Sequence, residues 1–286
     1  MMTGRTPSHS AKGRGFRAGG GVAAVALAVP LLVGAAVVVP HGRDGDGGAR
    51  AGDAPLLVSA AASLSGPLQA LAVPFARSRG VAPPRFNFGA SGLLQQQIQL
   101  GAPADVFLSA GVRPMDALQK AGLLVPGSRR DLLGNRLVLV VPERAPRRPL
   151  DFPGLAGPAV GRIAIGDGTV PAGDYARQVL AHYGLSGAVA VKLVPLGSVR
   201  AVARAVADGN VDAGMVYRSD AQQLGGLRVV ATAPAASHAP IRYSGAVLRS
   251  SRQPRLALAW LDALATPQAR ALFRRDGFKP LPDRSP

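Results

Sequence analysis

"RIAIGDGTVPAGDYARQVL", residues 162–180, changes its hydrophobic period in the middle. Arg162-Ile163-Ala164-Ile165 reads as a short buried strand, and residues 171–180 read as a helix. Between them Val170-Pro171-Ala172-Gly173 is small and uncharged, too plain for acid–base chemistry and too short to pack a core. Pro171 suits the first helical position, where it has no N–H to leave unpaired. A helix start carries unpaired N–H groups and a partial positive charge. Small side chains let another molecule approach that backbone closely. The stretch therefore reads as a strand–turn–helix unit whose turn is suited to backbone contact.

The same unit recurs on both sides. "PLLVSAAA", "FNFGAS", "ADVFLSA" and "NRLVLVVP" read as strands before it, and "VAVKLVPL", "VDAGMVY" and "LRVVATAP" as strands after it. Helical patterns lie between, including "SLSGPLQALAVPFARSRG", where Leu64, Leu68, Leu71 and Phe75 share a face and Pro74 should kink or shorten the helix. "LALAWLDALATPQARALFRRDGF" closes the chain as a helix. Alternation of this kind predicts an α/β architecture with mostly parallel sheet. The series restarts after the Pro/Arg-rich residues 143–157, which predicts two modules, with strands near Leu137 and Val229 as crossings between them.

The chain has 286 residues, 48% hydrophobic and 17% charged, with a net charge of +17. That is enough for one large domain or two medium ones with real cores. The basic residues fall in scattered doublets such as Arg129-Arg130, Arg147-Arg148 and Arg274-Arg275. Without an Arg-rich helix or a basic strand interleaved with aromatics, this pattern argues against nucleic acid and leaves a general attraction for anions. There is no cysteine, which excludes disulfides, thiol catalysis, Cys-based zinc sites and a lipid-modified N-terminal cysteine.

Arg5, Lys12, Arg14 and Arg17 precede an uncharged apolar run, residues 22–39, and a Gly/Asp/Arg-rich stretch follows. This is the order of a secretory signal. The apolar run is at the upper edge for a signal and the lower edge for a membrane span. Residues 1–51 therefore read as a signal peptide cut near Ala49-Arg50-Ala51, or as an anchor through residues 22–39, followed by a linker. Six of the 33 Lys and Arg and two of the 16 Asp and Glu lie before Gly52, so the exported body keeps a charge of about +13.

Catalytic signatures are scarce. There is no G-x-S-x-G, P-loop, H-E-x-x-H or G-x-G-x-x-G. A serine hydrolase built from Ser63 or Ser91 with His238 and Asp105 stays open as an alternative. What recurs is the plain junction: Ala62-Ser63-Leu64, Ala90-Ser91-Gly92, Pro171-Ala172-Gly173 and Gly197-Ser198-Val199. Ordinary capping accounts for Ser63, Ser91 and Ser198 one at a time. Four such helix starts converging at the carboxyl ends of strands would bind an anion without Lys or Arg.

"AAASL" (60–64), "SGLLQQQIQLGAPADVFLSA" (91–110), "LLGNRLVLVVP" (132–142), "IAIGDGTVPAGDYARQVL" (163–180), "GSVRAVARAVADGNVDAGMVYRSDA" (197–221) and "TPQARALFRRDGF" (266–278) carry a resemblance in this order. Together they resemble the extracytoplasmic molybdate-binding proteins of ABC importers. The resemblance implies a type II periplasmic binding protein fold, two α/β lobes around a ligand cleft, with residues 55–133 and 233–286 in one lobe and 134–232 in the other. It implies a receptor for molybdate and tungstate, not an enzyme, exported to the periplasm or cell surface. Such a receptor acts as a monomer with a membrane permease and its ATPase, without nucleic acid or cofactor. Ser63 and Ser91 would offer hydroxyl and backbone N–H, Ala172 and Val199 backbone N–H, and Tyr217 its phenol; molybdenum would enter only as the oxyanion, with no protein ligand to the metal. Another tetrahedral oxyanion such as sulfate is the nearest alternative ligand.

Overall fold

The apolar runs become strands and the amphipathic runs helices over residues 54–146 and 151–282, which the computed structural model describes. Residues 1–51, on which the signal and anchor expectations rest, lie outside the described residues. No helix among the described residues is long and apolar enough to cross a membrane.

The chain begins with β1 (Leu57–Ala61), a 3-10 turn (Ala62–Leu64), α1 (Ser65–Arg79), β2 (Arg85–Gly89), α2 (Ser91–Gln99), β3 (Val106–Ser109), α3 (Val112–Lys120) and β4 (Arg130–Gly134). It continues with β5 (Leu137–Pro142), β6 (Ile163–Gly166), α4 (Pro171–His182), β7 (Leu193–Leu196), α5 (Val199–Ala207), β8 (Ala213–Tyr217), α6 (Arg218–Gln223) and β9 (Leu227–Thr232). It ends with β10 (Arg242–Val247), α7 (Pro254–Leu264), α8 (Pro267–Arg275) and β11 (Lys279–Pro280).

Two sheets form. One has the order β11-β4-β10-β3-β1-β2 and the other β7-β6-β8-β5-β9. The chain leaves the first sheet between Gly134 and Leu137 and returns to it between Thr232 and Arg242. Apolar strands such as β5, with Leu137 through Val140 fully buried, and β6 carry the core. Trp260 of α7 closes the first sheet's helical layer, with its ring 5.0 Å from Phe75 of α1 in edge contact. The α/β class and its two lobes are as expected from the sequence.

The structure corrects three details. The sheets are mixed rather than mostly parallel: β1 runs parallel to β2 and β3, and β6 to β7 and β8, while β10 is antiparallel to β3 and β4, and β5 to β8 and β9. The closing helix is two helices. Thr266 caps the second through its hydroxyl, accepting from Ala269 N at 3.3 Å, and Pro267 occupies its first turn. Pro74 does not shorten α1, which continues to Arg79 and ends on Gly80 in the left-handed conformation.

Candidate functional site

The strand–turn–helix junctions of both sheets meet at one place. Ser63, Ser91, Ala172, Val199 and Tyr217 all line a single small cavity, with Ala61, Ala62, Gly89, Ala90, Ala110, Val170 and Pro171. It lies beyond the carboxyl ends of β1, β2 and β3 from one sheet and β6, β7 and β8 from the other, where α/β sheets place ligands. Its volume is about 10 Å³, roughly one water-sized sphere. No charged residue lines it.

The plain stretch owes its geometry to two close approaches. A Cβ on Gly173 would lie 2.1 Å from the Gly166 carbonyl oxygen, so α4 starts directly against the end of β6. Gly92 donates its N–H to the Thr169 carbonyl at 2.9 Å, and a Cβ there would meet that oxygen at 2.7 Å. This backbone bond joins α2, beside the first sheet, to the turn before α4, beside the second. Asp167, the acid in the turn, is used locally: its Oδ1 accepts from Thr169 N at 2.8 Å and Thr169 Oγ1 at 2.7 Å.

The hydroxyls at the cavity are oriented by their partners. Ser198 is an ordinary cap, its Oγ accepting from Ala201 N at 3.1 Å. Ser63 and Ser91 are not caps. Ser91 Oγ accepts from Ala110 N at 3.0 Å, which leaves its proton free to be donated. Ser63 Oγ shares a 3.0 Å bond with Tyr243 Oη, and that oxygen takes a hydrogen bond from Asn135 Nδ2 at 3.3 Å. With Asn135 donating to Tyr243 and Tyr243 to Ser63, the Ser63 proton is also left for the cavity. The N–H groups of Ser63, Ser91, Ala172 and Val199 make no backbone hydrogen bond among the described residues, as first-turn positions dictate. The wall therefore presents donors and three helix starts of at least two turns, α2, α4 and α5.

Tyr217, whose phenol the resemblance assigns to the ligand, lines the cavity and is hydrogen-bonded within the protein. Its Oη donates to the Ala110 carbonyl at 3.1 Å, linking the end of β8 to the segment after β3. Burial pushes the Tyr217 and Tyr243 phenols well above their ordinary range, so both stay protonated. Tyr217→Phe removes one donor from a buried carbonyl at this junction. It is expected to lower stability by about 1–3 kcal/mol, read as a fall of several degrees in the thermal unfolding midpoint.

The structure does not join the alternative hydrolase residues. Asp105 Oδ1 accepts from Ser251 Oγ at 2.6 Å and its Oδ2 from Leu57 N at 2.8 Å, while His238 Nδ1 lies 2.8 Å from the Ala239 carbonyl. Neither is hydrogen-bonded to Ser63 or Ser91, so the nucleophile–base contact that such chemistry requires is missing among the described residues. No cluster of three or more metal-ligating side chains occurs among the described residues.

Sequence reasoning missed Ala110 in the cavity wall and the groups behind it: Asn135, Tyr243 and the pair Arg200 and Asp220. Asp220 was visible as the acid of "VYRSDA", but its partner lies twenty residues away on α5 and no local spacing links the two.

The family model described as bacterial extracellular solute-binding protein matches residues 56–279. The molybdate-binding protein ModA of Escherichia coli (strain K12) is 36% identical over 240 residues, 81% of this chain and 91% of that protein. An ABC transporter substrate-binding lipoprotein of Bacillus subtilis (strain 168), YvgL, is 34% identical over 224 residues, 78% of this chain and 85% of that one. Among solved structures, the Azotobacter vinelandii periplasmic molybdate-binding protein matches with a TM-score of 0.69 at 29% identity, covering 80% of this chain and 100% of that chain.

Proposed function

This chain belongs to the bacterial extracellular solute-binding proteins, and we propose that it is the receptor that binds molybdate, and tungstate with it, for an ABC importer. The observation that carries this reading is the uncharged, donor-lined cavity at the meeting of the two sheets. A fully ionised tetrahedral oxyanion needs donors only. Ser63 and Ser91 would give hydroxyls and N–H groups, Ala172 and Val199 N–H groups, and Tyr217 its phenol once the bond to Ala110 is exchanged for the ligand. Each hydrogen bond to such an anion contributes about 1.5–3 kcal/mol, and three helix starts add their partial positive charge. Neutral donors hold the anion without a buried ion pair that must be broken on release. The relatives' names supply molybdate and the ABC transporter; export and a partner permease with its ATPase follow from that role.

Thermal unfolding of the chain from Gly52 onward, with molybdate, tungstate or sulfate, tests the reading. Ligand at about 100 times its dissociation constant adds about 2.7 kcal/mol, and for a body of this size that is roughly 5–10 °C. A rise with molybdate and tungstate but not sulfate is expected. A rise with sulfate alone would reassign the ligand, and no rise with any of the three would overturn the receptor reading.

A further inference from the structure

Outside the cavity wall, the most costly polar group in the described residues is Asp220. It is wholly buried in the first turn of α6. No side chain hydrogen-bonds either carboxylate oxygen, and of the backbone only the N–H groups of Tyr217 and Asp220 face it, short of well-formed bonds. Among the described residues Arg200 is the one cation set against it, with Nε 3.9 Å from Oδ1. Arg200 follows Val199 at the start of α5, beside the second sheet, and its guanidinium reaches across. Its Nε points at the Ala62 carbonyl at 3.4 Å, in the turn that carries Ser63 beside the first sheet. Its Nη2 donates to Gln223 Oε1 at 2.8 Å. Gln223 in turn presses on Gly66 of α1, where a Cβ would lie 2.6 Å from Oε1. Arg200 thus touches or supports contacts to two residues of the opposite half, and Asp220 is the buried charge behind it.

A buried carboxylate without a well-formed hydrogen bond is a liability to folding. Burial pushes the Asp220 carboxyl up to about 7, with the Arg200 guanidinium and then the backbone N–H groups of Tyr217 and Asp220 opposing the shift. The folded protein holds that proton more tightly than the unfolded chain. The resulting penalty is absent at acidic pH, grows as pH rises from the ordinary carboxylate range to about 7, and stays complete above it. Such a group is kept where it serves something other than stability.

We propose that Arg200 and Asp220 form a strut that holds the two halves of the cleft together, with Asp220 aligning Arg200 against Ala62 and Gln223. They are positioning residues: neither lines the cavity, and their charge lies behind the neutral wall. In this way charge secures closure without an ion pair to the ligand. The proposal rests on the receptor reading only for its effect on affinity.

The test uses the full chain, whose lack of cysteine allows spin labels at Val73→Cys on α1 and Val191→Cys, both exposed positions beside different sheets. Distance distributions between the labels report closure whether or not any oxyanion binds. Arg200→Ala and Asp220→Asn are expected to broaden and lengthen the distribution, and Arg200→Lys to do so less. For molybdate, both disruptive variants should lose about ten- to a hundred-fold in affinity. Asp220→Asn should at the same time raise the unfolding midpoint at pH 8, with the gain vanishing toward pH 4. A residue that merely packs the fold would move stability and affinity the same way. In wild type, the distribution should widen between pH 8 and pH 6. Asp220 is the group whose carboxyl is pushed into that range; the Arg200 guanidinium faces it, and the buried Tyr217 and Tyr243 phenols stay neutral. Unchanged distributions in Arg200→Ala and Asp220→Asn, or a destabilised Asp220→Asn at pH 8, would overturn the strut. Widened distributions in a protein that never binds molybdate would uphold the strut and sink the molybdate reading instead.

Discussion

Ala172→Leu is expected to abolish molybdate binding, a loss of roughly a hundred-fold or more in calorimetric titration. Ala172 is fully buried in the first turn of α4 and lines the cavity. With room for about one water-sized sphere, the wall has no slack for a leucine side chain. Leucine would cover the backbone N–H groups of the α4 start, and losing two hydrogen bonds to a charged acceptor already accounts for the predicted factor. The fold is expected to survive, because overpacking of this kind costs about 1–3 kcal/mol and cooperative unfolding would persist at a lower midpoint. Ala172→Gly is the contrasting variant. It keeps the N–H and leaves the cavity open, so binding should remain within several-fold of wild type. Wild-type affinity in Ala172→Leu would mean that ligand does not approach this helix start.

That expectation was legible in the sequence because the α4 junction is local. Strand, proline and small residues succeed one another within eleven positions, Ile163 to Gly173, and helix-start physics needs nothing more. The same holds for β3, β5 and β8, whose apolar runs are buried along their length. What escaped was set by distant partners. β10 is a central strand, yet the sequence pattern does not mark it as one because Ser244 and Gly245 interrupt its apolar run. Gly245 is required by packing, since a Cβ there would meet Leu108 and Leu261 side chains at 2.7 and 2.8 Å. β4 escaped for another reason: "RDLLG" is partly exposed and lacks a clear alternation. Both missed strands run antiparallel to their neighbours in the first sheet, and without them the sheet looked parallel.

The candidate site divided in the same way. Ser63, Ser91, Ala172 and Val199 stand out from local pattern as residues at helix starts, and the structure brings them to one cavity. Local pattern could not separate the capping serine from the two that face the cavity. Ser198 bonds within its own first turn, whereas Ser63 and Ser91 are oriented by Tyr243 and Ala110, 180 and 19 residues away. Tyr217 came from the family resemblance alone, because a tyrosine closing an apolar strand is ordinary core by pattern. Its bond to Ala110 shows a use that neither pattern nor resemblance specified.

Gly173→Ala is expected to destabilise the protein by about 3 kcal/mol or more and to lose ligand binding with it. The added methyl would stand 2.1 Å from the Gly166 carbonyl oxygen, 2.6 Å from its carbon and 2.9 Å from the Asp167 oxygen. All three are backbone atoms, so no side chain can rotate away, and β6 and α4 must separate. The glycine serves close approach here and not an unusual conformation, for it is absent from the positive-φ glycines of the described chain. Separation would also shift the Ala172 N–H and the Thr169 carbonyl that holds Gly92, so stability and affinity should fall together. Ala172→Leu should instead lose affinity with a smaller loss of stability. Gly168→Ala, five residues earlier in the same turn, meets nothing within 4 Å and should leave both properties near wild type. If Gly173→Ala were as mild as Gly168→Ala, the close contact of α4 with the end of β6 would be wrong, and with it the geometry that aims the helix start at the cavity.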